Sequence, residues 1–413
     1  MKIFLSVFLS TFFVVGLLSA KESSVSSLDE VLRIALEQSP AIAAARADWQ
    51  SAKDRIPSIK SLPDPEIGFQ FMGFSRSGFD LASADEKWYS LSQTFPFPGK
   101  LRAKADVALH WTRKMEEQYR AAQLDILSQV KEAYFNLTYA ERAAEIVQQN
   151  VEILRNFSKI AELRYATNKA GQPEVLRAQM ELFKMQNNTI SVDQDLEINR
   201  AQLNKLLDKN PETPIFTDRN FTVDPFKYSF ADLEKIMAEN RPEILTAQHH
   251  IKHTLAEVRQ SKTEYLPDTT VEYTWRTQAG QADDAIAAFK FTLPFFWHKK
   301  QSSMVRSTIR EKEHAEAMLR AEKIQAAYEL REFFIRLQSS IRKVDLYKTT
   351  LLPQAEQTLK VGTLAYPSGN IGFLELLDLQ RAWLDLNLDY YKTIIEYKTN
   401  LEKLERTVGK ELK

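Results

Sequence analysis

The chain has 413 residues, 44% of them hydrophobic, and its 55 basic residues equal its 55 acidic residues in number. This length and hydrophobic content are ample for a buried core, while a mean hydropathy of −0.36 argues against helical membrane spans. The balanced charge, without a block of basic residues, argues against a nucleic-acid partner. The chain contains no cysteine, which excludes disulfides, thiolate chemistry and lipid attachment at a cysteine.

The first residues predict export. An uncharged run over residues 3–20 follows a lysine at the second position, and Lys21 follows the run. This pattern is typical of a secretory signal, residues 1–20, with cleavage after Ala20. The alternative is an uncleaved anchor helix, because about 18 apolar residues approach the length that spans a bilayer.

A first structural repeat is predicted over residues 21–209. Ser27 begins a capping box and a short helix, and a second helix follows and ends before Pro63. Alternating apolar and polar residues then predict a β-hairpin over about 66–97, with a polar loop over about 74–85.

No glycine or proline occurs between Lys100 and Ala170, which predicts one long helix over about 100–165 and then a return helix that ends near residue 209. As an α-helix, about 65 residues would be about 98 Å long. Small and apolar residues recur along it at a spacing of about 3.5 residues, which is typical of a coiled-coil seam. The seam residues are Leu137, Ala140, Ala144, Val147, Val151, Leu154, Ser158, Ala161 and Tyr165.

The second half repeats these elements in the same order. A polar, proline-containing linker over residues 210–231 precedes the second repeat, residues 232–409. Within this repeat, the same patterns predict a β-hairpin over about 268–294, a long helix over about 298–365 and a return helix over 373–408. The chain is therefore an internal duplication.

The clearest sign of the duplication is a turn motif that occurs twice. Residues 165–179 read YATNKAGQPEVLRAQ, and residues 366–380, 201 positions later, read YPSGNIGFLELLDLQ. In each copy, residues that tolerate a positive φ follow the tyrosine, which predicts a tight turn between antiparallel helices. These residues are Asn168 and Gly171 in the first copy and Gly369 and Gly372 in the second.

The four predicted strands carry large aromatic residues on one face and polar residues on the other, as in a barrel wall between lipid and water. For any single strand, an ordinary sheet packed on a core explains the same alternation. All four strands share the pattern in a chain that is predicted to be exported, which favours the membrane. A spanning barrel has no free edge and needs about eight strands at least. Three copies would supply twelve strands around an open conduit, whereas two would leave a filled interior.

In these features the mature chain resembles the TolC family of outer-membrane efflux proteins. Residues 366–380 are close to the second periplasmic turn of that family, and residues 92–100 (SQTFPFPGK) look like the strand-to-helix junction of its heavy-metal, CzcC-like branch. The resemblance implies a mainly α fold with a small β part, assembled as a homotrimer. A 12-stranded β-barrel would lie in the outer membrane of a Gram-negative cell, surrounded by its lipid, and a 12-helix α-barrel would extend through the periplasm.

The resemblance also implies two protein partners and a passive role. A periplasmic adaptor would dock at the tip turns and connect the duct to an inner-membrane RND-type transporter, which would supply the energy. The branch motif favours heavy-metal cations as cargo. The tip residues that carry the docking prediction are Tyr165, Asn168 and Gly171 in the first turn and Tyr366, Gly369 and Gly372 in the second.

By the same resemblance, Glu375 and Asp378 fall on positions whose carboxylates ring the periplasmic entrance. Three copies of each would form a negative constriction that favours cations. The alternative is an acidic first turn that stabilises the N-terminus of the return helix, and Glu174, the equivalent candidate in the first turn, fits this role equally well. Ile371 stands where family members often carry a polar or basic residue, so we expect no ion-pair latch through that position.

Two other polar groups have alternative interpretations. His249, His253 and Glu257 are spaced four residues apart on one helix, where they would form a transition-metal site or an ordinary exposed face. The basic residues 298–300 are predicted to face lipid head groups. No GxSxG, HExxH, CxxC or phosphate-loop motif occurs, so the sequence predicts neither an enzyme nor a cofactor.

These features together predict the outer-membrane duct of a tripartite efflux system. Two alternatives remain open from the sequence. One is a soluble periplasmic coiled-coil scaffold or adaptor whose hairpins form a small sheet, and the other is a type I secretion duct.

Overall fold

The computed structural model describes residues 25–73 and 81–412. The predicted secretory signal, residues 1–20, lies outside these ranges, and so does most of the predicted loop of the first hairpin. Within the described ranges the chain is mainly helical, with one four-stranded sheet and one two-stranded sheet.

The elements occur twice in the order that the sequence predicts, and two small strands are added, one at the start of the first repeat and one in the linker. The helices are α1 (Leu28–Gln38), α2 (Pro40–Lys60), α3 (Lys100–Ala166), α4 (Gln172–Leu206), α5 (Phe230–Asn240), α6 (Pro242–Thr263), α7 (Lys300–Leu346), α8 (Leu352–Ala365) and α9 (Phe373–Val408). The strands are β1 (Val25–Ser26), β2 (Glu66–Met72), β3 (Glu86–Phe95), β4 (Phe216–Thr217), β5 (Asp268–Gln278) and β6 (Asp284–Thr292).

Each repeat opens with a capped helix followed by a second helix that begins with proline. The hydroxyl of Ser27 accepts a hydrogen bond from the N–H of Glu30 at 3.3 Å, and Ser229 accepts the equivalent bond in α5 at 3.2 Å. The first bond confirms the predicted cap at Ser27, and the second is the same cap at the start of α5. Pro40 and Pro242 are the first residues of α2 and α6, a position where the missing N–H leaves no helix hydrogen bond unmade.

The two predicted hairpins join in one antiparallel sheet, in the order β2-β3-β5-β6. Strands β3 and β5 pair with each other and so join the two repeats. Their pairing extends from Glu86, opposite Gln278, to Phe95, opposite Thr269. Because side chains alternate along a strand, one face of the sheet carries most of the aromatic residues. Large apolar residues that this face exposes include Ile67, Phe69, Leu91, Tyr273, Phe289 and Phe291.

The long helices form a layer in which α3 is central. It packs against α4 and α9, and α9 packs against α7 and α8. Nearer the sheet, α3 contacts α2 and α6, and α6 contacts α7. The layer therefore ends at α4 on one side and at α7 and α8 on the other. Among the helices of the described ranges, none combines the length and the apolar character needed to cross a bilayer.

The predicted seam of α3 is buried over most of its length. Leu137, Val151 and Ala161 are at most 3% exposed, in contact with the neighbouring helices. Two positions differ, because Ala144 is only half-buried and Tyr165 is exposed. Tyr165 lies in the last turn of α3, where it belongs to none of the three buried apolar clusters of the described residues.

The second long helix, predicted as continuous over 298–365, is interrupted by a five-residue π turn, Tyr347–Leu351, between α7 and α8. The N–H of Leu352 donates a hydrogen bond to the carbonyl of Tyr347, five residues back. Pro353 explains the position of the turn, because it has no N–H and its ring would crowd the carbonyl four residues back in a regular α-helix. The first long helix, α3, contains no proline and runs without a break.

The linker between the repeats, predicted over 210–231, is bound to α3. Its strand β4 pairs in parallel with β1, a pairing that the sequence does not predict. Glu141 of α3 is 4% exposed and accepts hydrogen bonds from the N–H of Thr217 at 3.3 Å and from its hydroxyl at 2.9 Å. Arg219 lies 3.3 Å from the same carboxylate. These contacts hold the linker against the middle of the helical layer.

Candidate functional site

The two tip turns connect α3 to α4 and α8 to α9. In each turn one residue has a left-handed backbone, Asn168 with a φ of 56° and Gly369 with a φ of 82°, as the sequence predicts. Gly171 and Gly372 differ from the prediction, because their φ values of −86° and −79° lie in the extended region. Each of these two glycines is instead the residue that precedes the first turn of a return helix, and that position requires an extended backbone.

The two tyrosines of the repeated motif have opposite environments. Tyr366 is 0% exposed, whereas Tyr165 is 48% exposed. The ring of Tyr366 packs 5.7 Å from that of Phe373 and belongs to an apolar cluster that includes Phe157 and Ala161 of α3. The second turn therefore packs on the first repeat, whereas Tyr165 of the first turn lies outside the buried apolar clusters of the described residues.

Two polar groups of the first repeat fix Tyr366. Its hydroxyl donates a hydrogen bond to the carboxylate of Glu174, at the start of α4. Arg164, near the end of α3, donates to the backbone carbonyl of Tyr366 and lies 4.5 Å from the centre of its ring. The same guanidinium donates to the carbonyl of Lys169 at 3.3 Å, so it joins the two turns. Burial, and then the charge of Glu174, raises the pKa of Tyr366 well above its usual value, so the hydroxyl remains a donor.

The three acidic residues of the predicted constriction have different environments. Glu375 and Asp378 are exposed, and their spacing of three residues places them on one face of α9. The carboxylate of Asp378 lies 3.7 Å from Arg381. Glu174 is half-buried and is bound by Tyr366. Glu375 and Asp378 are thus exposed, whereas Glu174 already holds a contact between the repeats.

A second ion pair joins the repeats near the tip. Arg381 of α9 lies 2.9 Å from Glu181 of α4, and Lys184 donates to the same carboxylate at 3.0 Å. Burial disfavours the charge on Glu181, but these two cations outweigh it and hold the pKa of the carboxyl below its usual value. This contact and the Tyr366 contact both tie α4 to the second repeat.

A buried polar pair lies further along the layer. The amide of Gln380 donates to the side-chain oxygen of Asn150 at 2.6 Å, and the two residues are 1% and 0% exposed. Gln179, the equivalent of Gln380 in the first copy, donates to Glu162 at 3.2 Å outside the core. The sequence indicates Gln380 only as part of the repeated motif. It contains no local pattern that marks Asn150 or the arginines of the tip.

The histidine face of α6 is not arranged as a metal site. The Nδ1 atom of His253 lies 3.0 Å from the carbonyl of Val107 and must donate to it, while Nε2 lies 3.4 Å from Glu257. Within residues 25–73 and 81–412, no group of three or more potential ligands is placed to hold a metal ion. The metal interpretation of His249, His253 and Glu257 is not supported.

The structure is similar to solved structures of outer-membrane proteins. The structure resembles the CmeC channel of Campylobacter jejuni, with a TM-score of 0.79, 16% identity and coverage of 98% of this chain and 93% of that one. It also resembles VceC of Vibrio cholerae, with a TM-score of 0.76, 18% identity and coverage of 94% and 97%. These likenesses confirm the predicted TolC-like plan of the chain.

The sequence itself matches both a curated relative and a family model. The cobalt-zinc-cadmium resistance protein CzcC of Cupriavidus metallidurans is 21% identical over 387 residues, which cover 93% of this chain and 90% of the relative. The model of the outer membrane efflux proteins matches residues 31–208 and 235–410, one match for each repeat. Since these matches cover most of the chain, it belongs to the outer membrane efflux protein family.

Proposed function

We propose that three copies of this chain close into one conduit that exports substrate across the outer membrane. The observation that carries the proposal is that both layers of the fold end in open edges. In the sheet, β2 and β6 each pair on one side only among the described residues. Unpaired strand edges are not tolerated in lipid, so each β6 must meet the β2 of a neighbouring copy. Each copy contributes four strands, so three copies supply the predicted twelve strands.

The helical layer has matching open edges. Exposed apolar residues lie along α4 at one edge of the layer and along α7 and α8 at the other edge. These two edges would meet when copies lie side by side. Three copies would supply twelve helices around the same axis. The exposed residues are Leu176, Met180, Phe183, Ile190 and Ile198 on α4, and Ile324, Tyr328, Val361 and Leu364 on α7 and α8.

The apolar face of the sheet favours a membrane channel over a soluble scaffold. Ile67 and Phe69 are 69% and 65% exposed, and Phe289 and Phe291 are 67% and 61% exposed. The opposite face carries polar pairs such as Glu272 with Lys290. A soluble scaffold would leave this contiguous aromatic surface in water, whereas a barrel places it in lipid and the polar face around the conduit. A type I secretion duct would have the same wall, and the cargo alone would distinguish it.

Membership of the family supports the proposed partners and the proposed cargo. A periplasmic adaptor would dock at the tip turns and join the duct to an inner-membrane RND-type transporter, which drives export while the duct stays passive. The relative CzcC is named for resistance to cobalt, zinc and cadmium. We therefore propose heavy-metal cations as the cargo class.

Glu375 and Asp378 support this choice of cargo. In a trimer, the exposed face of α9 that carries them would occur three times around the tip entrance. Six carboxylates at a narrow entrance would attract cations and exclude anions. Glu174 belongs to this region, but its hydrogen bond from Tyr366 makes it a contact between the repeats.

The decisive experiment measures assembly and conduction on the same sample. Full-length protein is purified in detergent, its mass is determined, and its conductance is recorded in a planar bilayer. We expect a trimer with a small, cation-selective conductance. A monomer without conductance would contradict the proposal and would favour the scaffold alternative.

A further inference from the structure

One charged contact lies where the two repeats meet within the chain, at the junction of β3 and β5. Lys100, the first residue of α3, is 4% exposed, and its Nζ lies 3.0 Å from Asp268, the first residue of β5. Glu264 lies 3.8 Å from the same Nζ. Asp268 also accepts the N–H of Phe97 at 2.9 Å. The contact fastens the end of β3 to the start of β5, where strand pairing between the repeats stops.

The duplication supplies the same two positions a second time. Lys300 is the first residue of α7, as Lys100 is of α3, and Glu66 is the first residue of β2, as Asp268 is of β5. Glu66 and Asp268 each follow a proline. Within one chain, however, Lys300 lies beyond the edge strand β6, and Glu66 begins the opposite edge strand β2.

The residues equivalent to Lys100 and Asp268 have a different environment. Both Lys300 and Glu66 are exposed, and neither forms an ion pair with another residue of the described ranges. The junction before Lys300 is also open, with Phe295 82% exposed and Phe296 68% exposed. The contrast with the buried Lys100 is therefore not caused by a difference in residue type, because both helices begin with lysine.

We propose that Lys300 of one copy forms an ion pair with Glu66 of the neighbouring copy. This pair stabilises the interface between subunits, as Lys100 and Asp268 stabilise the junction between the repeats within one chain. The inference rests on the proposed trimer, because only closure of the sheet brings β6 beside the β2 of another copy. Opposite charges at equivalent positions fix which edges meet and in which register. Like charges there would oppose assembly.

Charge reversal tests the pair. Lys300→Glu and Glu66→Lys are made singly and together, and the mass of each full-length protein is measured in detergent over a dilution series. Each single reversal places like charges at every interface between subunits. We therefore expect the dissociation constant of the assembly to rise about tenfold. The double reversal restores opposite charges and is expected to return the constant to the unmodified value.

Lys299→Glu is the matched control, since Lys299 is the adjacent exposed lysine. If residues 298–300 act only by binding lipid phosphates, Lys299→Glu and Lys300→Glu will weaken insertion into anionic vesicles equally and Glu66→Lys will rescue neither. That result, or a double reversal that stays dissociated, overturns the pair. Helical circular dichroism confirms that each variant is folded. An unmodified protein that is monomeric would instead refute the proposed trimer, so the two failures are distinguishable.

Discussion

The hydroxyl of Tyr366 donates a hydrogen bond to the carboxylate of Glu174, across the boundary between the two repeats. Both residues belong to the turn motif that occurs twice, but the contact is made once, because Tyr165 points away from the buried cluster and is exposed. The duplication has therefore produced one turn with a buried tyrosine and one with an exposed tyrosine.

Tyr366→Phe removes this hydrogen bond and keeps the buried ring. We expect a loss of about 1.5 kcal/mol in stability, because the bond ends on a charged group, and a larger conductance, because the second turn is held less firmly against the first repeat. Thermal unfolding and single-channel recording measure the two effects. Tyr165→Phe is the matched control at the exposed copy, and an equal effect there would contradict the assigned asymmetry.

Glu375→Ala combined with Asp378→Ala tests the acidic entrance. If three copies of each carboxylate line a constriction, their removal raises the single-channel conductance and reduces the preference for cations. Reversal potentials in a salt gradient measure this preference. Glu356→Ala removes an exposed carboxylate of α8 outside the turn and should leave both values unchanged. Unchanged values for the double variant would remove Glu375 and Asp378 from the entrance.

Gln380→Leu leaves the side chain of Asn150 without its partner in a fully buried position. A buried polar group without a hydrogen bond costs about 1–3 kcal/mol, so we expect a clear fall in the free energy of unfolding by denaturant. Asn150→Leu combined with Gln380→Leu removes both polar groups and should recover much of that loss. Gln179→Leu, at the equivalent position of the first copy, is expected to have little effect. A large effect of Gln179→Leu would show that burial is not the cause.

Stability should fall as the pH is lowered below about 6.5, the usual pKa of histidine. Burial, followed by nearby cations, lowers the pKa of His110, His249 and His250 in the folded chain. The unfolded chain then binds more protons than the folded chain, so acidification favours unfolding until the lowered pKa values have been passed. Melting temperatures at pH 7.5, about 6.5 and about 5.5 measure the effect.

Replacing the three histidines identifies their share of this pH dependence. A variant with His110→Gln, His249→Gln and His250→Gln should lose less stability over the same pH range than the unmodified chain. His298→Gln, at an exposed turn position, is the control. If the triple variant keeps the full pH dependence, other groups are responsible for it.

Local patterns in the sequence account for most of the elements. The serine cap and the two-residue alternation predict α1 and the four long strands, because each pattern acts within a few residues. The union of β3 with β5 was not predicted, because it pairs residues about 180 positions apart, such as Ser90 and Thr274, and no local pattern encodes that choice.

The tip shows the same limit. The repeated motif predicts the two turns and the left-handed residues Asn168 and Gly369, since backbone conformation follows from residue type. It does not predict that Tyr366 is buried and Tyr165 exposed, because the sequence motif is shared by both copies. That difference depends on Arg164 and Glu174, which approach Tyr366 from the other repeat.

The π turn compensates for a difference in length between the two long helices. Lys100 precedes Tyr165 by 65 positions, whereas Lys300 precedes Tyr366 by 66, so the second long helix contains one residue more. In a regular helix that residue would advance the tip by about 1.5 Å and rotate it by about 100°, which would turn Tyr366 away from Glu174. A hydrogen bond that reaches back five residues takes up one residue. The π turn at Tyr347–Leu351 thus compensates for the additional residue of the second long helix. The position of Tyr366 relative to Glu174 therefore depends on a backbone irregularity more than a dozen residues away.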